Sequence, residues 1–313
     1  MSEVLFGTVP AFLAILLGGA LRYRQFVAAG AWAELQKLNY YLFLPAMFVS
    51  GLAGGVYTDA PLLSIIVGVA VVLGAGSAAI WFWKSQVPRA ADLGPQLLEG
   101  AIRANVPYGM AVSFAFGGGA GLELFLVAAA VYLPTVVIAG GLYSQLSGRQ
   151  DRDPDTAQEY ALATAFRLLA RNPIAIGIVL GVGLNVLNLP IPTGLGRVVH
   201  VAGFAAMPIG LLATGAALNI AGAQTALDAA RVAVIATLAL KLLVLPAGAG
   251  LIVLIFGLSG PAAVAVVLIS ALPCLVPRFT VVAEPTQGIL PGIATLATLL
   301  SAVTIPVALW LFS

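Results

Sequence analysis

The sequence predicts an all-α integral membrane protein of ten transmembrane helices, built as a 5+5 inverted repeat with broken, crossed fourth and ninth helices. Three observations predict it. Of the 313 residues, 61% are hydrophobic and only 8% charged, with a mean hydropathy of +1.07, whereas a soluble domain carries about 25% charged residues. Four landmarks recur at one shift: Pro10, Leu17, Gly18 and Pro45 stand 163 residues before Pro173, Leu180, Gly181 and Pro208. Lys and Arg collect almost wholly on one side of the alternating loops.

A span needs about 20 apolar residues at 1.5 Å rise each. That ruler gives runs at roughly 4–21, 38–56, 61–83, 100–117 and 122–144 in the first half, and 164–186, 199–220, 231–256, 261–283 and 289–312 in the second. The first run follows Met1-Ser-Glu-Val-Leu, which lacks the basic region of a secretory leader, so a retained span is expected. Between the halves, Ser144 to Glu159 carries Arg149, Asp151, Arg152, Asp153, Pro154 and Asp155. It reads as a solvated linker without chemistry.

Loop charge sets the orientation. One side receives Arg22, Arg24, Lys37, Lys84, Arg89, Arg103, Arg149, Arg152, Arg167, Arg171 and Arg231, the other Arg197 alone. The richer side is expected in the cytoplasm, and an even number of spans then puts both termini outside it. Five spans per half is odd, so the second half enters the membrane inverted, a basis for alternating access.

Composition also excludes. Cys274 is the only cysteine and His200 the only histidine, which removes disulfide frameworks, multi-thiolate metals and multi-histidine sites. No cofactor, metal or nucleic-acid partner is expected; the expected partners are the bilayer and a small organic anion.

The fourth and ninth segments carry the candidate site. One reads Arg103-Ala-Asn105-Val-Pro107-Tyr108-Gly109, running on to Gly117–Gly121 as a hinge; the other reads Ser270-Ala-Leu-Pro273-Cys274-Leu-Val-Pro277-Arg278. Proline removes a helix hydrogen bond and clashes with the preceding turn. Broken backbone at membrane depth persists only where protein or a wet cavity covers it. Two crossing breaks point half-helix N-termini into a shared space that favours an anion; two ordinary proline kinks are the bland alternative. Arg278 offers a fork suited to a carboxylate, or snorkels to the surface beside Glu284. Asn105 donates to a substrate oxygen or caps a half-helix. Tyr108 lines a cavity or joins an aromatic belt. Lys241 snorkels or faces the bundle interior, and Cys274 is a packed small residue or a reactive thiol. No span shows a carboxylate at its centre, since Glu123, Asp228 and Glu284 fall near ends.

The chain resembles the auxin efflux carrier family, within the bile acid–sodium symporter-like transporters. Pro10 with Leu17-Gly18 resembles that family's first span, and Asn39-Tyr40-Tyr41-Leu-Phe-Leu-Pro45-Ala46 its second. Asn172-Pro173 with Leu180-Gly181 resembles the sixth span, Ala206-Met-Pro208 to Leu218 the seventh, and Thr298 to Pro306 the last. Asn105 matches a family position in the fourth span. Pro107 looks shifted, and Pro277-Arg278 replaces the small or amide residues usual in the ninth.

The resemblance implies organic-anion transport by an elevator motion. It implies scaffold parts at 1–58 and 164–222, transport parts at 59–145 and 223–313, and a cytoplasmic linker at 146–163. A homodimer through the scaffold helices is also implied.

The expected function is a secondary active or facilitative carrier of a small organic anion, a carboxylate above all, in the inner membrane. Asn105, Pro107, Tyr108, Lys241, Pro273, Cys274, Pro277 and Arg278 are its candidate binding residues. A sodium-coupled symporter, a cation antiporter, a passive anion channel and a non-transporting receptor are the rivals on the same architecture. A membrane enzyme would need a Ser-His pair, paired aspartates or an Asp-rich metal motif, and none is evident.

Overall fold

A computed structural model describes residues 2–55, 57, 60–86, 93–146, 163–275 and 288–312. Among them the ordered elements are all helical, with no strand. This is what hydrocarbon permits, because a helix satisfies its own backbone polar groups. Among the described residues, six helices are long and apolar enough to cross a membrane, or seven if one bent pair counts as a single span.

Helix α1 (Ser2–Tyr23) runs through Pro10 without a break. Its equivalent 163 residues on, Pro173, instead starts a helix. There α7 (Ala163–Ala170) meets α8 (Pro173–Val186) at a bend of 77°. Asn172 caps the new start, its Oδ1 accepting from the N–H groups of Ile174 (2.9 Å) and Ala175 (3.3 Å). A proline in a first turn costs nothing, since that N–H has no helical partner.

Helix α2 (Ala29–Leu38) passes through a wide π-turn at Asn39–Phe43 into α3 (Leu44–Gly54). Helix α4 covers Leu62–Gln86 and α5 covers Gly94–Ile102. Helix α6 (Val106–Leu146) has 41 residues, about 60 Å of helix against a hydrocarbon core of about 30 Å. It is in fact two arms. Gly118 takes φ 56° and ψ −141°, Gly121 then lies against the Ser113 carbonyl, and Gly109 lies against Phe125. The segments 106–117 and 119–146 therefore run antiparallel, and the glycine run expected to be a hinge makes a reversal.

The second half continues with α9 (Thr193–Phe204), α10 (Ala206–Ala217) and α11 (Ile220–Ala239), the last bent at Ala230. A second π-turn, Leu240–Val244, leads into α12 (Leu245–Phe256). Helices α13 (Gly260–Ala271) and α14 (Leu290–Phe312) complete the chain. Both π-turns precede a Leu-Pro pair, Leu44-Pro45 and Leu245-Pro246. A proline ring clashes with the carbonyl four residues back, and widening the turn relieves it. Leu44 N–H then donates to Asn39 and Leu245 N–H to Leu240, each five residues back.

Contacts between the sequence halves recur at the same shift of 163 as the landmarks. A side chain at Gly18 of α1 would strike the Leu212 backbone of α10, and one at Gly181 of α8 would strike the backbone of Phe48 and Val49 in α3. Positions 18 and 181, and 49 and 212, are the same pairs. Arg22 donates to the Ala216 carbonyl; at the shifted positions, Asn185 Nδ2 donates to the Ala53 carbonyl at 3.2 Å and to Gly55 at 2.9 Å. Two helix ends are thus tied down in the same way by different side chains.

Three boundaries differ from the expected runs, among them that of the seventh, which begins at Thr193. The second segment begins at Ala29, with Glu34 and Lys37 exposed on one side of the helix and Trp32 and Gln36 buried on the other. The fourth begins at Gly94, so Glu99 and Arg103 lie within it. Pro277, Arg278 and Glu284, and all of the linker except 146 and 163, lie outside the described residues.

Candidate functional site

The break of the fourth segment, 103–105, lies between α5 and α6, and that of the ninth begins at Leu272 after α13. The residues that close the first halves take similar extended conformations, Arg103 at φ −64°, ψ 147° and Leu272 at φ −59°, ψ 136°. Leu272 precedes Pro273, which disfavours a helical conformation before it. The breaks touch: Asn105 N–H donates to the Pro273 carbonyl at 2.9 Å. Two backbone groups freed by the helix breaks thereby satisfy each other.

Asn105 is fully buried and occupied on both sides. Its Oδ1 accepts from Tyr108 N–H at 3.3 Å, capping the first arm of α6, and its carbonyl accepts from Gly109 N–H at 3.1 Å. Its Nδ2 donates to Thr214 Oγ1 of α10 at 2.8 Å, and that hydroxyl donates to the Gly210 carbonyl at 2.8 Å. The capping role weighed from sequence is present, joined to a link across the two halves. Pro107 occupies the first turn of α6, where its missing N–H costs nothing, and its ring fills the space that a side chain at Gly210 would need. Next to it, Ala104 N–H donates to the Tyr132 hydroxyl at 2.8 Å.

Tyr108 is fully buried, so it belongs to no aromatic belt. Its hydroxyl approaches Ser301 of α14 without meeting hydrogen-bond geometry. Cys274 and Pro273 are buried at the second break. Cys274 lies within reach of the charges of Lys241, Arg103 and Glu99.

Lys241 does not snorkel. It stands in the second π-turn with a relative exposure of 0%, and its Nζ has no hydrogen-bond partner among the described residues. A charge at the centre of a bilayer costs about 3 kcal/mol or more, and one without a counter-charge is the most costly form of burial. The two other charged groups that share the Cys274 surroundings are already paired. Arg103 and Glu99 meet each other at 3.2 Å, their side chains 20% and 29% exposed.

The structure brings Asn105, Pro107, Tyr108, Pro273, Cys274 and Lys241 to one region, where α5, α6, α13, α14 and the second π-turn meet. One half-helix N-terminus, that of α6, points into it; the matching one of the ninth segment falls among residues outside the described set. Sequence reasoning missed Glu99, Arg103, Tyr132 and Thr214. The Glu99–Arg103 spacing, four residues on a helix, was the available signal, but it looks like loop charge when the span is taken to start at residue 100.

Among the described residues, no group of three or more His, Cys, Asp or Glu side chains is arranged to hold a metal ion. No family model matches the chain, and no curated protein matches it.

Proposed function

We propose that this protein is a membrane carrier for a small organic anion, a carboxylate above all, of the auxin efflux carrier type. In this reading two inverted halves of five spans meet at crossed breaks, and transport is an elevator-like exchange between two exposures of that crossing. The observation that carries it is Lys241: an ammonium buried in mid-span beside the second break, with no acceptor among the described residues. An arriving carboxylate supplies the missing counter-charge and hydrogen-bond acceptors together. The α6 N-terminus adds a partial positive charge to the same region.

Supporting the two-half arrangement are contacts that repeat at the 163-residue shift, Gly18 with Leu212 and Gly181 with Val49, and Arg22 and Asn185 at equivalent helix ends. The loop-charge bias supports a cytoplasmic face at Arg22, Arg24 and Lys37, with both termini opposite. The reading extends to a homodimer through the first, second, sixth and seventh spans.

Purified protein in proteoliposomes tests the function. The expected outcome is saturable uptake and counterflow of at least one member of a panel of small mono- and dicarboxylates, with and without sodium. Uptake that requires sodium would replace the reading with a sodium-coupled symporter. Flux without counterflow would mean a passive anion channel, and no flux across the panel would overturn anion transport.

A further inference from the structure

We infer that the seam between α2 and α10 holds a file of bound water that joins the crossed breaks to the membrane face at Arg22–Gln25. Trp32, Gln36 and Asn39 recur at i, i+4 and i+7, so they form one stripe along α2 and its π-turn. They are 6%, 9% and 6% exposed. Trp32 Nε1, Gln36 Oε1 and Asn39 Oδ1 are all buried with no hydrogen-bond partner among the described residues. One orphaned buried polar atom costs about 1–3 kcal/mol, so three along a single stripe point to a partner that is not protein.

The seam has a direction. At its deep end, the Asn39 amide and the Pro107 ring both press on Gly210, one turn from the Asn105–Thr214 hydrogen bond. One turn along α10, Gln36 Nε2 reaches the Ala213 carbonyl only at a loose 3.5 Å. One turn further, Arg22 donates to the Ala216 carbonyl, and residues 22–26 beside it are exposed. Positions 210, 213 and 216 thus lead from the crossing to an open face.

The chemistry of the lining selects the occupant. Its unpartnered atoms are one indole N–H and two amide oxygens, with the amide N–H groups of Gln36 and Asn39 beside them, so donors and acceptors alternate along it. A carboxylate would face amide oxygens and helix carbonyls, and a cation would face the Trp32 N–H. Water both donates and accepts, and a buried water makes about three hydrogen bonds. The inference does not rest on which solute is carried, since a hydrated seam would connect the crossing to one face whether or not an anion moves.

Hydroxyl-radical footprinting by synchrotron radiolysis, read by mass spectrometry on the full chain in lipid nanodiscs, tests it. Bound water generates radicals in place, so Trp32 should oxidise many-fold faster than buried Phe48 and Phe125 after correction for intrinsic reactivity. The double variant Gln36→Leu, Asn39→Leu should lower the Trp32 rate several-fold. A wild-type Trp32 as inert as Phe48 would overturn the inference, and that comparison stands even if the double variant fails to fold. A Trp32 rate that changes when sodium is replaced by choline would also overturn it, in favour of a bound cation.

Discussion

The sequence halves meet in two ways. Along α1–α10 and α3–α8 they meet twice through the same contacts: glycines let one backbone lie on another, and a polar side chain ties down a helix end. At the two touching helix breaks they meet once, and the two sides differ. The first break is Arg103-Ala104-Asn105, with its backbone and side chains committed to Pro273, Thr214 and Tyr132; the second is Leu272-Pro273-Cys274, apolar, with Lys241 beside it, whose Nζ has no partner among the described residues. Backbone packing reads the same in both halves because it depends on the absence of side chains. Charge and hydrogen bonding depend on which side chains are present, and there the halves diverge. The shared contacts build a frame, and the unlike ones leave a positive charge unanswered.

Breaking the frame should have the largest effect. Leucine at Gly18 or Gly181 would have to displace a facing backbone, which cannot move as a flexible side chain does. Gly18→Leu and Gly181→Leu should each cost about 3 kcal/mol, the upper end for overpacking, seen as loss of monodisperse protein and a large fall in melting temperature. Gly183 has nothing within 4 Å of an added side chain, so Gly183→Leu should leave the melting temperature nearly unchanged. Equal melting of Gly18→Leu and Gly183→Leu would remove the frame from the account.

The two breaks can be set against each other next. Asn105→Ala loses a helix cap and the link to Thr214, at about 1–2 kcal/mol. Cys274→Ala removes one buried sulfur that, among the described residues, ties no other helix to the break, and should cost less. Chemical denaturation of the two variants in detergent ranks them; a larger loss for Cys274→Ala would reverse the assignment of which break is fastened. The smallest effects belong to the tied helix ends. Arg22→Leu and Asn185→Leu should each destabilise by about 1 kcal/mol, and similar values for the two would sharpen the equivalence of the halves.

Much of the frame was legible in the sequence. Pro45 and Pro208, and Gly18 and Gly181, are landmarks that survive in a one-letter string because proline and glycine act through the backbone. The long apolar runs are equally plain. The π-turns were not, since a turn widened by one residue leaves no change in hydrophobic periodicity over five residues. The Gly118 reversal was hidden for a related reason: a glycine run signals freedom without saying which conformation is taken. Glu99 and Arg103 were misplaced because charge in an apolar chain resembles a loop until a partner four residues away accounts for it. Asn105 was found but only half understood, because Thr214 stands 109 residues away and no spacing rule connects them. Lys241 kept two readings from sequence, as its stem is long enough for either, and only the burial of Nζ separates them.

The unanswered charge is the centre of the account, and equilibrium binding tests it most directly. A carboxylate that proves active in uptake would be titrated into wild-type protein and into Lys241→Met, with the melting temperature of each recorded. The account predicts that affinity falls about 10- to 100-fold, the worth of a charge-assisted hydrogen bond of about 1.5–3 kcal/mol, while the variant melts at the same temperature or higher because a buried unpaired charge has gone. Unchanged affinity in a well-folded Lys241→Met protein would contradict it.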